Sequence, residues 1–436
     1  MKLKVQPIVL LGRHGGVFPR SSGTQDFIST EEALQPIVRE RLNELTVELS
    51  PIVELLRAKI LRNEADVGAL RKETLEGDAL LVYVMGIMPI QEVLRIGLPV
   101  ICFSGPQTPM LALDAFAEEK GRRKDLRIAL DFQDIVDHCR VLAAQKQLRD
   151  TRIALVGFPS PWFSRWCRFT DPERVREVLG VELTPVELRE FVESLQQVDT
   201  REAQVTAQKW VEEARETPEA DESDIWEAAK VFLSLTRILE RRKANALSLN
   251  CQEMIYAMNC PPPCYPLSRL RDENVAAACE NDVPALLSML ILGYLSGKPA
   301  FIGNIVRADP AINRILLSHC VVPTKMAGFD QPSEPHMLRN YHGHDGVTSW
   351  VEMRNVGQEV TLGRLDRKLQ YVALGRGRIM EYRDTVTCRT TFSIEMADVR
   401  QFVQNAPGNH FALVYGDWSA AMKALSQILD LKAIIV

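Results

Sequence analysis

The sequence predicts the α/β class: two Rossmann-like parallel-sheet units followed by a mixed C-terminal domain with an antiparallel β-barrel. Three observations lead there. Short apolar runs alternate with longer 3.6-periodic stretches from the start of the chain, the same alternation restarts near residue 151, and beyond residue 305 the runs become short, alternating and split by turn residues. The expected domains are 1–150 (N-terminal α/β), 151–305 (second α/β) and 306–436 (β-rich), in line with 436 residues at roughly 100–200 per domain.

Element by element, 6–11, 79–85, 99–103 and 127–131 are aliphatic runs bounded by Gly, Pro or charge, the mark of strands buried on both faces. Between them, 30–62, 91–96, 110–120 and 133–148 carry helical spacing. The run TRIALVGFPS at 151–160 opens the second unit with a strand and a Gly-Phe-Pro-Ser loop, followed by a helical stretch at 184–195. Eight acids crowd 212–227 and read as a solvated helix face or loop. Asp224 with Glu227 three residues on reads as a helix cap, the helix ending in Glu240-Arg241-Arg242-Lys243. A strand at 246–251 then delivers Glu253. Six β-rich runs follow at 316–323, 347–353, 359–365, 369–374, 378–382 and 390–396, then a strand at 411–415 and a helix at 419–429.

Lys and Arg total 52 against 57 Asp and Glu, a net charge of −5, so no global field draws the chain to nucleic acid or to an anionic membrane. The longest apolar stretch, near 285–295, is far short of the ~20 residues a bilayer needs. Nine cysteines, an odd number and scattered, read as reduced thiols, and with no Asn-x-Ser/Thr acceptor the expected location is the cytoplasm.

Phosphate-binding signatures do not complete: GRHGG at 12–16 and GRG at 375–377 lack the spacing of a dinucleotide loop. His-Glu-x-x-His and Gly-x-Ser-x-Gly do not occur. Cys260-Pro-Pro-Pro-Cys264 offers two thiols without a matching pair and reads as a stiff loop. Five of the seven histidines lie beyond residue 300. His342-Gly-His344 has chelating spacing but sits in a polar turn and reads as exposed, whereas His410, after Gly408-Asn409, stands at the head of a strand. Glu253 follows an apolar strand at the sheet end where α/β proteins place ligands, with a salt bridge to Arg269 or Arg271 as the plain alternative. Asp282, with Pro284 behind it, is a good helix N-cap.

In order, Cys251-Gln-Glu253, Leu267-Ser-Arg-Leu270, Asp272-Glu273, Ala278-Cys-Glu-Asn-Asp282, the run from Leu286 to Gly297, and Gly408-Asn-His410 with Tyr415-Gly-Asp417 resemble the C-terminal half of the L-fucose isomerase and L-arabinose isomerase superfamily. The likeness is greatest to its fucose-isomerase-like members and spans roughly 245–420; residues 1–240 match in architecture only. The resemblance implies an aldose–ketose isomerase working through a cis-enediol, with Mn²⁺ or another divalent cation held by Glu253, Asp282 and His410. Glu253 and Asp282 would be the catalytic carboxylates, Glu280 an alternative to Asp282, and Glu280, His319 and Arg269 candidates for the sugar. It also implies a homo-oligomer, trimer or hexamer, with a small-molecule sugar as its only other partner. One departure is Asn304, an amide where such proteins often show an acid.

An oxygen-rich site with one imidazole suits Mn²⁺, which binds substrate oxygens as a Lewis acid while carboxylates move a proton. Two rivals stand beside this reading. One is another enediolate-forming reaction on a modified or acidic sugar, for which Arg269, Arg271 and Arg307 speak. The other is a sugar-responsive binding protein without turnover, for which Asn304 speaks.

Overall fold

A computed structural model describes residues 2–11, 16–19, 25–28, 52–84, 90–104, 109–158, 170–353, 356–385 and 388–436, with residues 36, 39, 40, 43, 46 and 47. Most of GRHGG, most of the expected helix before residue 52, and the Pro159-Ser160 loop lie outside the described residues. The chain forms two compact units, Met1–Gln147 and Leu148–Val436.

The first unit is a parallel sheet. β1 (Leu3–Leu10) is flanked on one side by β4 (Val53–Leu55) and β5 (Lys59–Leu61), and on the other by β6 (Ala79–Val84), β7 (Val100–Ser104) and β8 (Leu126–Ala129) in that order. A short hairpin of β2 (Gly16–Pro19) and β3 (Gln25–Ile28) stands outside it. Burial of nearly every residue of β1 and β6 explains why those runs read as unbroken apolar stretches. The expected helix over 30–62 is corrected at its end. Leu3 pairs with Val53 and Ile8 with Lys59, so the backbone groups of β1 claim two short strands.

The second unit begins with a parallel sheet in the order β10 (Glu182–Val186), β9 (Arg152–Val156), β11 (Ala246–Leu249), β12 (Ala276–Cys279). Three boundaries differ from expectation. Thr184 to Val186 are strand rather than helix, because Pro185 cannot donate to a helix and fits an edge strand, and the helix starts at Leu188. The cap of the Glu222–Arg242 helix is Asp221, whose side chain accepts from the Asp224 amide, three residues earlier than read. β11 stops at Leu249 because Asn250 caps a short helix, Cys251–Tyr256. The acidic stretch is also less solvated than expected, since Glu213 pairs with Arg269, and Glu219 with Arg339 and Arg389.

The rest is a closed antiparallel barrel. β13 (Phe301–Asp309), β14 (Arg314–His319), β19 (Thr390–Met396), β18 (Tyr371–Asp384), β17 (Glu359–Leu365) and β20 (His410–Tyr415) form a six-stranded ring, β20 returning to β13. A hairpin of β15 (His336–Tyr341) and β16 (His344–Val351) stands beside it, and β21 (Lys432–Ile435) adds parallel to β18. Phe301, Leu317, Leu362, Phe392, Phe411 and Leu413 fill the interior. The Val283–Ser296 helix is apolar on all sides because it packs against β12 of the sheet and against β17 and β20 of the barrel. The predicted fold class is the one observed. Among the described residues no helix is long and apolar enough to cross a membrane.

Asp272, at the end of the Cys264–Asp272 helix, ties that helix to the loop after β14 by accepting from Thr324 Oγ1 at 2.8 Å and the Lys325 amide at 3.0 Å. Burial raises its carboxyl pKa from 3.8 to about 6 against these hydrogen bonds. A raised folded-state value stabilises fully below the unfolded pKa and loses that contribution as pH rises through the folded one. Denaturant unfolding of wild type and Asp272→Asn from pH 4 to 7 should therefore show wild type losing about 2 kcal/mol relative to the variant, nearly all of it below pH 6.5. A difference that stays flat with pH would refute the assignment.

Candidate functional site

The site is assembled at the carboxyl ends of β11 and β12 and at the head of β20. Asn250 accepts from the Glu253 amide at 3.3 Å, and its own Nδ2 donates to Glu253 Oε2 at 2.9 Å. Glu253 is thereby held, half-buried, on the first turn of its helix. One strand over, Glu280 and Asn281 both adopt left-handed backbone conformations, with φ of 59° and 46°. Two consecutive non-glycine residues there are costly and persist only where their surroundings fix them. The fixing is visible: the Asn281 amide donates to Leu249 O at 3.2 Å, and its buried side chain donates to Val156 O at 3.3 Å and Gly157 O at 3.4 Å. The turn is thus sewn to β9 and β11, and it turns Glu280 outward and Asp282 inward.

Asp282 caps the Val283–Ser296 helix, accepting from the Ala285 amide at 3.1 Å, as the sequence predicts. Capping is only part of its role. Arg364 of β17 grips the carboxylate with both terminal nitrogens, Nη2 to Oδ1 at 3.1 Å and Nη1 to Oδ2 at 3.2 Å, and also donates to the His410 carbonyl at 2.6 Å. Both side chains are 1% exposed. The chain passes so close to this guanidinium that a Cβ on Gly408 would lie 2.5 Å from Arg364 Nε, which accounts for the glycine in Gly408-Asn409-His410.

His410 Nδ1 lies 2.8 Å from Asp282 Oδ2. A carboxylate so surrounded by donors only accepts, so Nδ1 carries a proton and donates it to Asp282. Nε2 in turn faces Glu280 Oε2 at 3.8 Å. The His319 ring packs edge-on against His410 with centroids 5.4 Å apart. Its own tautomer is fixed in the opposite sense: Nδ1 accepts from the Val321 amide at 3.0 Å, leaving Nε2–H to face Cys279 Sγ at 3.5 Å. Burial, then the neighbouring His410 and Arg271, hold the His319 pKa well below the usual imidazole range.

Asp282, His410 and Glu280 therefore converge, with His319 behind them. Glu253 stands at the same end of the sheet but engages Asn250 and not that group. Arg269 bonds Glu213 at 2.8 Å, Arg271 donates to the Ala277 and Val321 carbonyls, and Arg307 pairs with Asp309, so all three arginines have structural partners. Asn304 pairs with His410 across β13 and β20, and its Oδ1 accepts from Asn409 Nδ2 at 2.7 Å. Sequence reasoning missed Arg364, which in Glu359–Leu365 is one charge in a strand and gains meaning only when the barrel closes.

No family model matches the chain. It is 26% identical over 300 residues to a sulfoquinovose isomerase from Clostridium sp. (strain MSTE9), covering 66% of this chain and 65% of that protein. It is 26% identical over 189 residues to one from Alkalicoccus urumqiensis, covering 42% and 40%. A third, from Priestia aryabhattai, is 22% identical over 308 residues, covering 67% and 66%. The chain thus matches less than two thirds of the length of each of these curated relatives.

Proposed function

We propose that this chain is an aldose–ketose isomerase acting on a modified sugar through a cis-enediol, with sulfoquinovose, a sulfonated aldose, as the substrate its relatives' names suggest. The finer reading joins it to the fucose-isomerase-like members of the L-fucose and L-arabinose isomerase superfamily. The observation that carries the proposal is the Arg364–Asp282–His410 relay with Glu280 across the ring, built at the ends of parallel strands in a chain similar to sugar isomerases.

The same reading brings Mn²⁺ or another divalent cation, with Asp282 and Glu253 both moved out of the expected ligand set of Glu253, Asp282 and His410. Asp282 has both oxygens engaged by Ala285, Arg364 and His410, and Glu280 Oε2 lies 3.8 Å from His410 Nε2. Glu280 and His410 would hold the ion, with Asp282 as the carboxylate that fixes the tautomer of the liganding imidazole. Such an ion, when bound, polarises the oxygens of an α-hydroxy carbonyl. Glu253 is the base that takes the proton from C2 and returns it to C1, the hydrogen bond from Asn250 leaving Oε1 as its basic oxygen. His319, buried and neutral, holds the His410 ring in place rather than reaching a sugar hydroxyl. A cytoplasmic homo-oligomer, trimer or hexamer, completes the reading, and light scattering of the purified chain tests that part.

Incubation of the full chain with sulfoquinovose and Mn²⁺ in deuterated water, followed by NMR, tests the activity. The expected product is the ketose with deuterium at C1. Exchange at C2 without ketose would point to another enediolate reaction. Thermal stabilisation by sugar with no exchange, there or with neutral aldoses, would leave only a binding protein.

A further inference from the structure

A second cluster of ligand-type side chains shares no residue with Glu280 and His410, and its Cys320 Sγ stands 3.9 Å from His319 Nδ1. Donor atoms of Cys320, His342 and Cys388 all fall within 4.8 Å of one another, and among the described residues no other group of three meets that condition. We infer that these three side chains form a soft-metal site that takes one Zn²⁺ or a similar thiolate-seeking ion. The inference does not depend on the proposed isomerase activity.

The ligand chemistry is selective. Two thiolates and an imidazole suit Zn²⁺ and are poor ligands for Mg²⁺, Ca²⁺ or Mn²⁺. Bond lengths of about 2.3 Å to sulfur and about 2.0 Å to nitrogen put tetrahedral ligand atoms roughly 3.5–4 Å apart, so small side-chain rotations close the cluster. Cys320, Cys388 and Cys264 are free thiols, and Cys264 hydrogen-bonds to Cys320, which places a further thiol beside one member of the cluster.

Each ligand also stands on a fixed backbone. Cys320 directly follows β14. The Cys388 carbonyl accepts from Ser318 Oγ at 3.1 Å, Thr385 Oγ1 at 2.6 Å and Thr391 Oγ1 at 3.1 Å. His342 occupies the turn of the β15–β16 hairpin with φ of 54°, its ring stacked on Tyr341 at 4.3 Å and its turn closed by the Gly343 amide on Asn340 Oδ1 at 3.0 Å. The expectation of an exposed His342 is corrected here: His344 is exposed, but His342 Nε2 is shut off from solvent, and the His342 side chain hydrogen-bonds to Cys388. The Cys388 thiol and the His342 imidazole already meet, and a bound ion would take the place of the proton between them. The ion would clasp the hairpin to barrel strands β14 and β19.

Titration of the full chain with Co²⁺ after chelator stripping, without air and with a phosphine reductant, tests this. The expected result is a thiolate-to-cobalt charge-transfer band with tetrahedral ligand-field bands, saturating at one equivalent and displaced by Zn²⁺. His342→Ala, a turn substitution that leaves the strands intact, and Cys388→Ser should each abolish the tetrahedral spectrum and weaken Zn²⁺ binding by at least about 100-fold. Glu253→Gln should leave the spectrum in place. Absence of the charge-transfer band in wild type, or its persistence unchanged in His342→Ala, overturns the inference.

Discussion

Replacing Arg364 with methionine is expected to destabilise the second unit by about 3–5 kcal/mol, the usual cost of leaving one member of a buried ion pair without the other. The reason is local. Asp282 and Arg364 are each 1% exposed, and the guanidinium supplies two of the hydrogen bonds reaching that carboxylate and one of those reaching the His410 carbonyl. Methionine fills the aliphatic volume and removes all three donors. Pairing the change with Asp282→Asn should recover a sizeable part of the loss, because the uncompensated charge disappears while the amide oxygen still caps Ala285. Denaturant unfolding of the four proteins in this cycle measures the coupling. A cost below about 1 kcal/mol for Arg364→Met, or a double variant no better than additive, would show that the pair is not what fixes the carboxylate.

Glu253→Gln is expected to act in the opposite register, on rate and not on stability. If Glu253 is the proton carrier, removing its basicity should lower kcat/KM by about 10²–10⁴-fold. The amide oxygen of glutamine still accepts from Asn250, so the unfolding midpoint should move by no more than about 0.5 kcal/mol. Steady-state assays with the deuterium-exchange readout check the first statement and thermal melts the second. Retention of more than a tenth of the activity would move the proton-transfer role elsewhere, with Glu280 the next carboxylate to examine.

How much of this was legible in the sequence depends on the range over which each residue acts. The buried strands β6, β9 and β11 were readable because burial on both faces leaves an unbroken apolar run. The barrel strands were readable from alternation. Asp282 was readable as a cap, since the partner amide lies three residues on. Its grip by Arg364 was not, because that contact exists only once β17 and β20 are neighbours in a closed ring. The same applies to Cys320, His342 and Cys388. Their approach follows from the pairing of His319 with Thr390 and from the bend of a hairpin, neither of which leaves a spacing signature. The strands 53–55 and 59–61 were misread as helix for the converse reason: their conformation is dictated by β1, more than forty residues away in sequence.

A side chain that answers at once to a helix terminus, a barrel arginine and an imidazole leaves natural selection little room at position 282. Glutamate would overshoot the cap by a methylene, and asparagine would face Arg364 without charge. A mutant library sorted only for soluble expression should therefore lose nearly every variant at Asp282, as fully as one sorted for turnover, while the two sorts should disagree at Glu253. Conservation measured across such a library would make the two acids look alike, and only the disagreement between the sorts would tell the scaffold's acid from the reaction's.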